Sequence, residues 1–346
     1  MKAFIYRAPK QLTIEDVPKP ECGPGDILVK VAACAICGTD IKIYNHGHPN
    51  LQPPQTIGHE ISGTIAELGK NVSGYRKGDR VTIVTEVGCR RCRFCRQGRQ
   101  NLCENFRAIG YHLAGGFAEY ILIPEIAVKQ SCVLPILDSM SFEEAALVEV
   151  LSCVINGQDY MKIRHGESVV VLGAGVAGCL HAELARCSGA TKIIMINSSS
   201  EKRLATAKKT AKPDLVFSSA SGDPVKYVKQ ETGAGANVVI AACNSAEAQK
   251  QALEMAASQG RISLFGGLPK DQPVIELNSN VIHYKELSVF GAFSSYVYQY
   301  KQAINLLASR RIDGRKYITH TFPLDRIIEG FEAARSGDAL KVIIKP

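Results

Sequence analysis

No apolar run in this chain of 346 residues approaches the roughly 20 that a helix needs to cross a bilayer, so no membrane partner is expected. The opening residues, MKAFIYRAPKQL, hold no apolar core of signal-peptide length, and a cytoplasmic location is the expectation. Charged residues are sparse, at 21% against 46% hydrophobic, which is the balance of a globular chain rather than a disordered one. Net charge is +8, yet a general basic excess is missing. The arginines concentrate between Cys89 and Arg107, where Arg90, Arg91, Arg93, Arg96, Arg99 and Arg107 meet a single acid, Glu104. One basic lobe on an otherwise balanced chain reads as a solvated surface, and no nucleic acid is expected as a partner. The length suits about two domains.

Twelve cysteines in such a chain point to metal and buried thiols rather than disulfides. Cys89, Cys92, Cys95 and Cys103 follow C-x2-C-x2-C-x7-C, a spacing that wraps one tetrahedral ion in thiolates and suits a structural zinc. An iron–sulfur cluster is the rival, but its run usually closes on a shorter interval followed by proline, and Glu104 stands there instead. Cys153, Cys179, Cys187 and Cys243 read as buried small apolar groups.

A second constellation lies upstream. Cys37 precedes Gly38, Thr39 and Asp40, and Gly58-His59-Glu60 follows 22 residues after Cys37. A thiolate, an imidazole and a carboxylate make an open catalytic zinc site, which keeps one position for water or substrate. Short apolar runs separated by proline and glycine (Met1–Tyr6, Leu12–Ile14, Ile27–Ala33, Ile61–Leu68, Arg80–Val84) predict short antiparallel strands in a β-barrel. The Cys37 and His59 segments are expected as loops projecting from it. Ser141 and Glu144 form a capping box that opens a helix through SFEEAALVEVL, and Glu149 falls in its apolar part. A carboxylate there needs a partner, either the metal or an arginine. His46 and His48 read as loop residues, with the mouth of the active-site cleft as the alternative, and the alternation of Tyr296, Tyr298 and Tyr300 as a strand edge or a subunit contact.

In the second half, ESVVVLGAGVAG runs an apolar strand into Gly173-x-Gly175-x-x-Gly178 and then a helix. This is the dinucleotide fingerprint in its required context, with Val176 and Ala177 at the helix N-terminus that faces the pyrophosphate. Apolar runs at 193–196, 215–217, 238–242, 262–265 and 287–290 alternate with helix-length segments, which implies a doubly wound parallel sheet. An NAD-binding chain should end its second strand in an acid. Here that place holds Asn197, followed by Ser198, Ser199, Ser200, Glu201, Lys202 and Arg203, so NADP is expected over NAD.

Taken in their order, these motifs resemble the zinc-containing medium-chain alcohol dehydrogenase superfamily over essentially the whole chain. Within it the sorbitol (polyol) and threonine dehydrogenase branch is nearest, because GHE is followed by a glutamate in LVEVL. The resemblance implies a GroES-like β-barrel catalytic domain over 1–152 with a structural zinc lobe at about 86–107. It also implies a Rossmann domain over 153–292 and a C-terminal return over 293–346. It implies Cys37 and His59 as ligands of a catalytic zinc, with Glu60 and Glu149 as carboxylate ligands directly or through water. Thr39 would pass on the substrate proton and Asp40 would orient His59. Lys42 takes the place of the histidine that often ends this relay. Val150 replaces a usual proline, and Ser294 stands where polyol members often carry arginine. The expected activity is hydride exchange between NAD(P) and a secondary alcohol, such as a polyol, sugar alcohol or cyclitol, or its ketone or ketose, in a homodimer or homotetramer. The alternatives are a zinc-ribbon binding protein and a non-catalytic NADP sensor.

Overall fold

The computed structural model describes every residue of the chain except Ser199 and Lys270. It divides into two compact units, Met1–Ser152 with Ser294–Pro346, and Cys153–Phe293. Among the described residues no helix is long and apolar enough to cross a membrane.

The first unit is built around the strand Ile27–Ile36, whose side chains are buried nearly throughout. A strand buried on both faces must have paired neighbours on both edges, because its backbone groups have no access to water. Glu60–Leu68 runs antiparallel along one edge. Tyr120–Ile123 and Lys341–Lys345 share the other. The C-terminal residues therefore return to the core of this unit, and Ala35 lies opposite both Glu60 and Ile343. A second sheet joins Gln11–Asp16, Lys2–Ala8 and Gln55–Thr56.

Cys37 does not lie on a loop as expected. It is the N-cap of a helix, Gly38–His46. The Asp40 carboxylate accepts the Cys37 backbone N–H at 2.9 Å, the reciprocal half of a capping box. Glycine and β-branched residues in the first turns hid this helix from a propensity reading; packing overrides propensity here. Tyr44 lies on Phe331 with ring centroids 5.5 Å apart, and Phe331 in turn meets Phe4 and Phe117 at 5.7 and 6.0 Å. Burial of each such ring contributes about 2–3 kcal/mol, enough to hold the helix on the sheet. His59 immediately precedes Glu60–Leu68. SFEEAALVEVL forms a four-residue helix, Phe142–Ala145, capped by Ser141 as expected, and then a separate helix, Val148–Asp159, with Glu149 in its first turn. The three alternating tyrosines are not a strand edge. Tyr296 caps the helix Val297–Ala308, which carries Tyr298 exposed and Tyr300 buried. Cys187 is exposed rather than buried.

The second unit is a six-stranded sheet. Its order is Leu215–Ser218, Lys192–Asn197, Ser168–Leu172, Ala236–Ala241, Ala256–Leu264, Ser288–Gly291, with every pair parallel. The chain order reverses between the third and fourth of these, which is where such sheets bind dinucleotides. The three fingerprint glycines serve different ends. Gly173 has φ +116°, and a Cβ there would strike the Ala242 carbonyl. A Cβ on Gly178 would sit 1.9 Å from the Gly173 oxygen, so strand and helix could not cross. A Cβ on Gly175 would meet nothing within 4 Å, so that residue keeps space free for a ligand.

Gly178→Ala should therefore lower Tm by roughly 5 °C or more, the cost of overpacking. Gly175→Ala should leave Tm unchanged and weaken dinucleotide binding. Thermal melts with and without NADPH would separate the two effects.

Candidate active site

Strand pairing delivers the ligand candidates to one place. Cys37, His59 and Glu60 each bring a donor atom within 4.8 Å of the others'. Behind His59, Nδ1 faces the Asp40 carboxylate at 3.5 Å, and neither that nitrogen nor Asp40 Oδ1 has a hydrogen-bonding partner in standard geometry. This arrangement leaves Nε2 as the nitrogen on the open side, where the Tyr111 hydroxyl lies 3.4 Å away. The Cys37 Sγ lies 3.8 Å from the Thr39 hydroxyl. Lys42 is on the exposed face of the helix.

The electrostatics ask for a cation. Asp40, Glu60 and Glu86 are fully buried, and Glu149 is 8% exposed. Lys341 is the one buried lysine or arginine among the described residues. Burial by itself would lower the His59 pKa, yet Tyr111, Asp40 and Cys37 outweigh it and hold that pKa well above the ordinary value. A pocket that favours positive charge so strongly, with a thiol, an imidazole and a carboxylate converging on it, fits Zn2+.

The second cluster fits too. Cys89, Cys92, Cys95 and Cys103 bring their sulfurs within 4.8 Å of one another. Backbone N–H groups point at the sulfurs: Cys89 and Asn105 donate to Cys103 at 3.2 and 3.3 Å, and Cys92 donates to Cys89 at 3.4 Å. Backbone hydrogen bonds from Arg91 and Cys92 bring the Cys89 pKa down to about 6, which favours the thiolate that a metal needs.

Two family descriptions match the chain: "Alcohol dehydrogenase GroES-like domain" over residues 23–133 and "Zinc-binding dehydrogenase" over 175–309. A sorbitol dehydrogenase of Halalkalibacterium halodurans is 32% identical, covering 100% of this chain and 99% of its own. An L-threonine 3-dehydrogenase of Thermococcus kodakarensis is 34% identical, covering 100% and 98%. Among solved structures, a zinc-binding dehydrogenase of Sinorhizobium meliloti bound to NADP superposes with TM-score 0.92 at 33% identity, covering 100% and 99%. The chain belongs to the zinc-containing medium-chain alcohol dehydrogenases, in their sorbitol and threonine dehydrogenase branch. It is a zinc-dependent, NAD(P)-dependent alcohol dehydrogenase, and a zinc-ribbon binding module is not favoured.

This dehydrogenase also carries site residues that its sequence pattern did not mark. Lys341 donates to both oxygens of Glu60, at 2.7 and 2.6 Å, in a fully buried pair. Its signal was a lone cation opening an apolar strand, which must find an acid. Glu86, inside the run VTIVTEVG, accepts from the Ser294 hydroxyl, while its Oε2 has no hydrogen-bond partner. Burial, and then the charge of Glu149, raise its pKa to about 7. In the dinucleotide unit, Asn197 ends its strand as expected. Its Oδ1 accepts from the Ala174 N–H at 3.4 Å and its Nδ2 donates to the Ser200 carbonyl at 3.2 Å. Ser200 caps the next helix through the Arg203 N–H. Ser198 and Lys202 are exposed beside it, and Ser199 lies outside the described residues.

Glu86 generates a pH prediction. Its folded pKa of about 7 lies above the ordinary 4.5, so between those values the folded state binds the extra proton. Its contribution is fully present below pH 4.5 and is lost as pH rises through 7. The loss is on the order of 3 kcal/mol. Urea unfolding from pH 5 to 8 should show this decline in the parent and a flatter profile in Glu86→Gln. Identical slopes would refute it.

Proposed function

We propose that this dehydrogenase interconverts a secondary alcohol of a polyol, sugar alcohol or cyclitol and its ketone, using NADP in preference to NAD. The observation that carries the reading is the convergence of Cys37, His59 and Glu60 in a buried pocket short of positive charge, with Asp40 set behind His59. In the relatives' names, sorbitol, threonine and 2R,3R-butanediol share a secondary alcohol beside a second polar group.

Cys37 and His59 would hold the catalytic zinc, with Glu60 and Glu149 as its carboxylate ligands directly or through water. Bound there, zinc supplies Lewis acidity to the alcohol oxygen, and the nicotinamide supplies hydride chemistry. Thr39, next to Cys37, accepts the substrate hydroxyl proton and passes it outward, with Lys42 on the solvent side of the same helix. Asp40 fixes the His59 tautomer, with the proton on Nδ1. Lys341 neutralises Glu60 and so limits how strongly that carboxylate competes for the ion. Residues 1–152 and 293–346 form the catalytic domain and 153–292 the dinucleotide domain.

Gly173, Gly175 and Gly178, with Val176 and Ala177, receive the pyrophosphate. The neutral Asn197 removes the repulsion that an acid would offer a 2′-phosphate, and Ser198, Lys202 and Arg203 would contact that phosphate. Among the described residues the outer strand Ser288–Gly291 pairs along one edge only, and Val289, Phe293 and Tyr284 are exposed. Such an edge supports a homodimer or homotetramer. We place the enzyme in the cytoplasm.

Cys37→Ser should abolish turnover with little change in Tm, and His59→Ala should abolish it while lowering Tm because the buried Asp40 carboxylate loses its partner, whereas Cys92→Ser should chiefly lower Tm because the structural ion contributes folding free energy. Full activity in either of the first two would eliminate the assignment. With a panel of polyols and ketoses, kcat/KM should be at least tenfold higher with the NADP pair than with the NAD pair. Equal or reversed values would overturn the cofactor reading.

A further inference from the structure

Nothing in the pattern around Tyr111 marks it for chemistry, yet three features fix its ring against the metal ligand His59. The turn before it is held by Gly110, at φ +83°, where a Cβ would lie 2.8 Å from the Gly58 carbonyl. That close approach brings the Tyr111 loop onto the segment carrying His59. The Tyr111 carbonyl accepts from Gln55 Nε2 at 2.7 Å, which fixes the backbone. The ring leans on two imidazoles, His59 with centroids 5.1 Å away and His48 at 5.4 Å. His48 is thereby a wall of the site rather than a loop residue alone.

The hydroxyl is the informative atom. It lies 3.4 Å from His59 Nε2, the nitrogen that points away from Asp40 and toward the metal position. Packing between two imidazoles would be served as well by phenylalanine, and would not need a polar atom at that spot. An ion on the Nε2 lone pair would take away the acceptor of this half-buried O–H. A donor left without an acceptor there is unfavourable. The open position beside Cys37 and His59 is where a substrate oxygen arrives, and that oxygen supplies a new acceptor.

We propose that Tyr111 is a further catalytic residue, whose hydroxyl donates a hydrogen bond to the substrate's reacting oxygen on the side of the site flanked by His59 and His48. Thr39 handles the proton, and Tyr111 stabilises negative charge as it develops on that oxygen. A single preorganised donor of this kind is worth roughly a hundredfold or more in rate. The inference rests on the zinc-dehydrogenase reading above.

The test compares the zinc-loaded parent and Tyr111→Phe, each saturated with NADPH, by calorimetric titration with isobutyramide. This amide offers an acceptor carbonyl but is not reduced. Zinc content, Tm and the NADPH Kd should match in the two proteins, while the amide binds at least tenfold more weakly to the variant and kcat on the best alcohol of the panel falls about a hundredfold. Amide affinities within twofold of one another would overturn the proposal. So would loss of zinc or of several degrees in Tm, which would assign Tyr111 to holding His59. A parent that takes up zinc and NADPH but binds no amide would overturn it as well. Failure of the underlying reading is distinct: the parent itself would then hold no zinc at Cys37 and show no turnover.

Discussion

A buried carboxylate must be matched by positive charge or by a proton, and this constraint organises the catalytic unit. Asp40, Glu60, Glu86 and Glu149 are withdrawn from water beside the half-buried Cys37 thiol, and among the described residues Lys341 is the one buried lysine or arginine to answer them. The shortfall is met in different ways. Glu60 takes Lys341 on both oxygens. Glu86 moves toward neutrality, with a pKa of about 7. What remains converges on His59, and a divalent cation is the natural counter-charge for that remainder. Cores do not carry such an arrangement for stability, because desolvation makes buried ion pairs neutral at best.

The backbone explains why these groups meet. Ala35, in the most buried strand, has Glu60 on one side and Ile343 on the other, so residues 283 positions apart in the chain become neighbours through one shared strand. Asp40 has two tasks at the end of that strand. One carboxylate oxygen completes the helix N-terminus by accepting from Cys37 N–H, and the other faces His59. The geometry of the thiol and that of the imidazole are thus set by the same side chain. Any change that tilts the helix Gly38–His46 disturbs both ligands together, and the ring cluster of Tyr44, Phe331, Phe4 and Phe117 opposes such a tilt.

The dinucleotide unit follows another logic. Its sheet is parallel and covered by helices, and its ligand site is made of backbone and empty space. Gly173 and Gly178 permit contacts that a side chain would block, and Gly175 leaves room. At the end of the strand Lys192–Asn197 a neutral amide is tied into the turn by two hydrogen bonds.

Much of this is written locally and could be read along the chain. Four cysteines at fixed spacing, the strand-to-helix glycine fingerprint, the run of parallel strands and the capping box at Ser141 depend on neighbours a few residues away. For the same reason Cys37 and His59 were recognisable as ligand types. Propensity misjudged the Cys37 segment, because its helix is stabilised by a cap and an aromatic cluster rather than by helix-forming residues. The partners of Lys341, Glu86 and Tyr111 were not legible. Each acquires its meaning from a partner far off in sequence: Lys341 from Glu60, Glu86 from Ser294, Tyr111 from His59. Local spacing determined which chemistry the chain carries, while the charge balance and the aim of each polar atom were decided only when distant strands paired and excluded water.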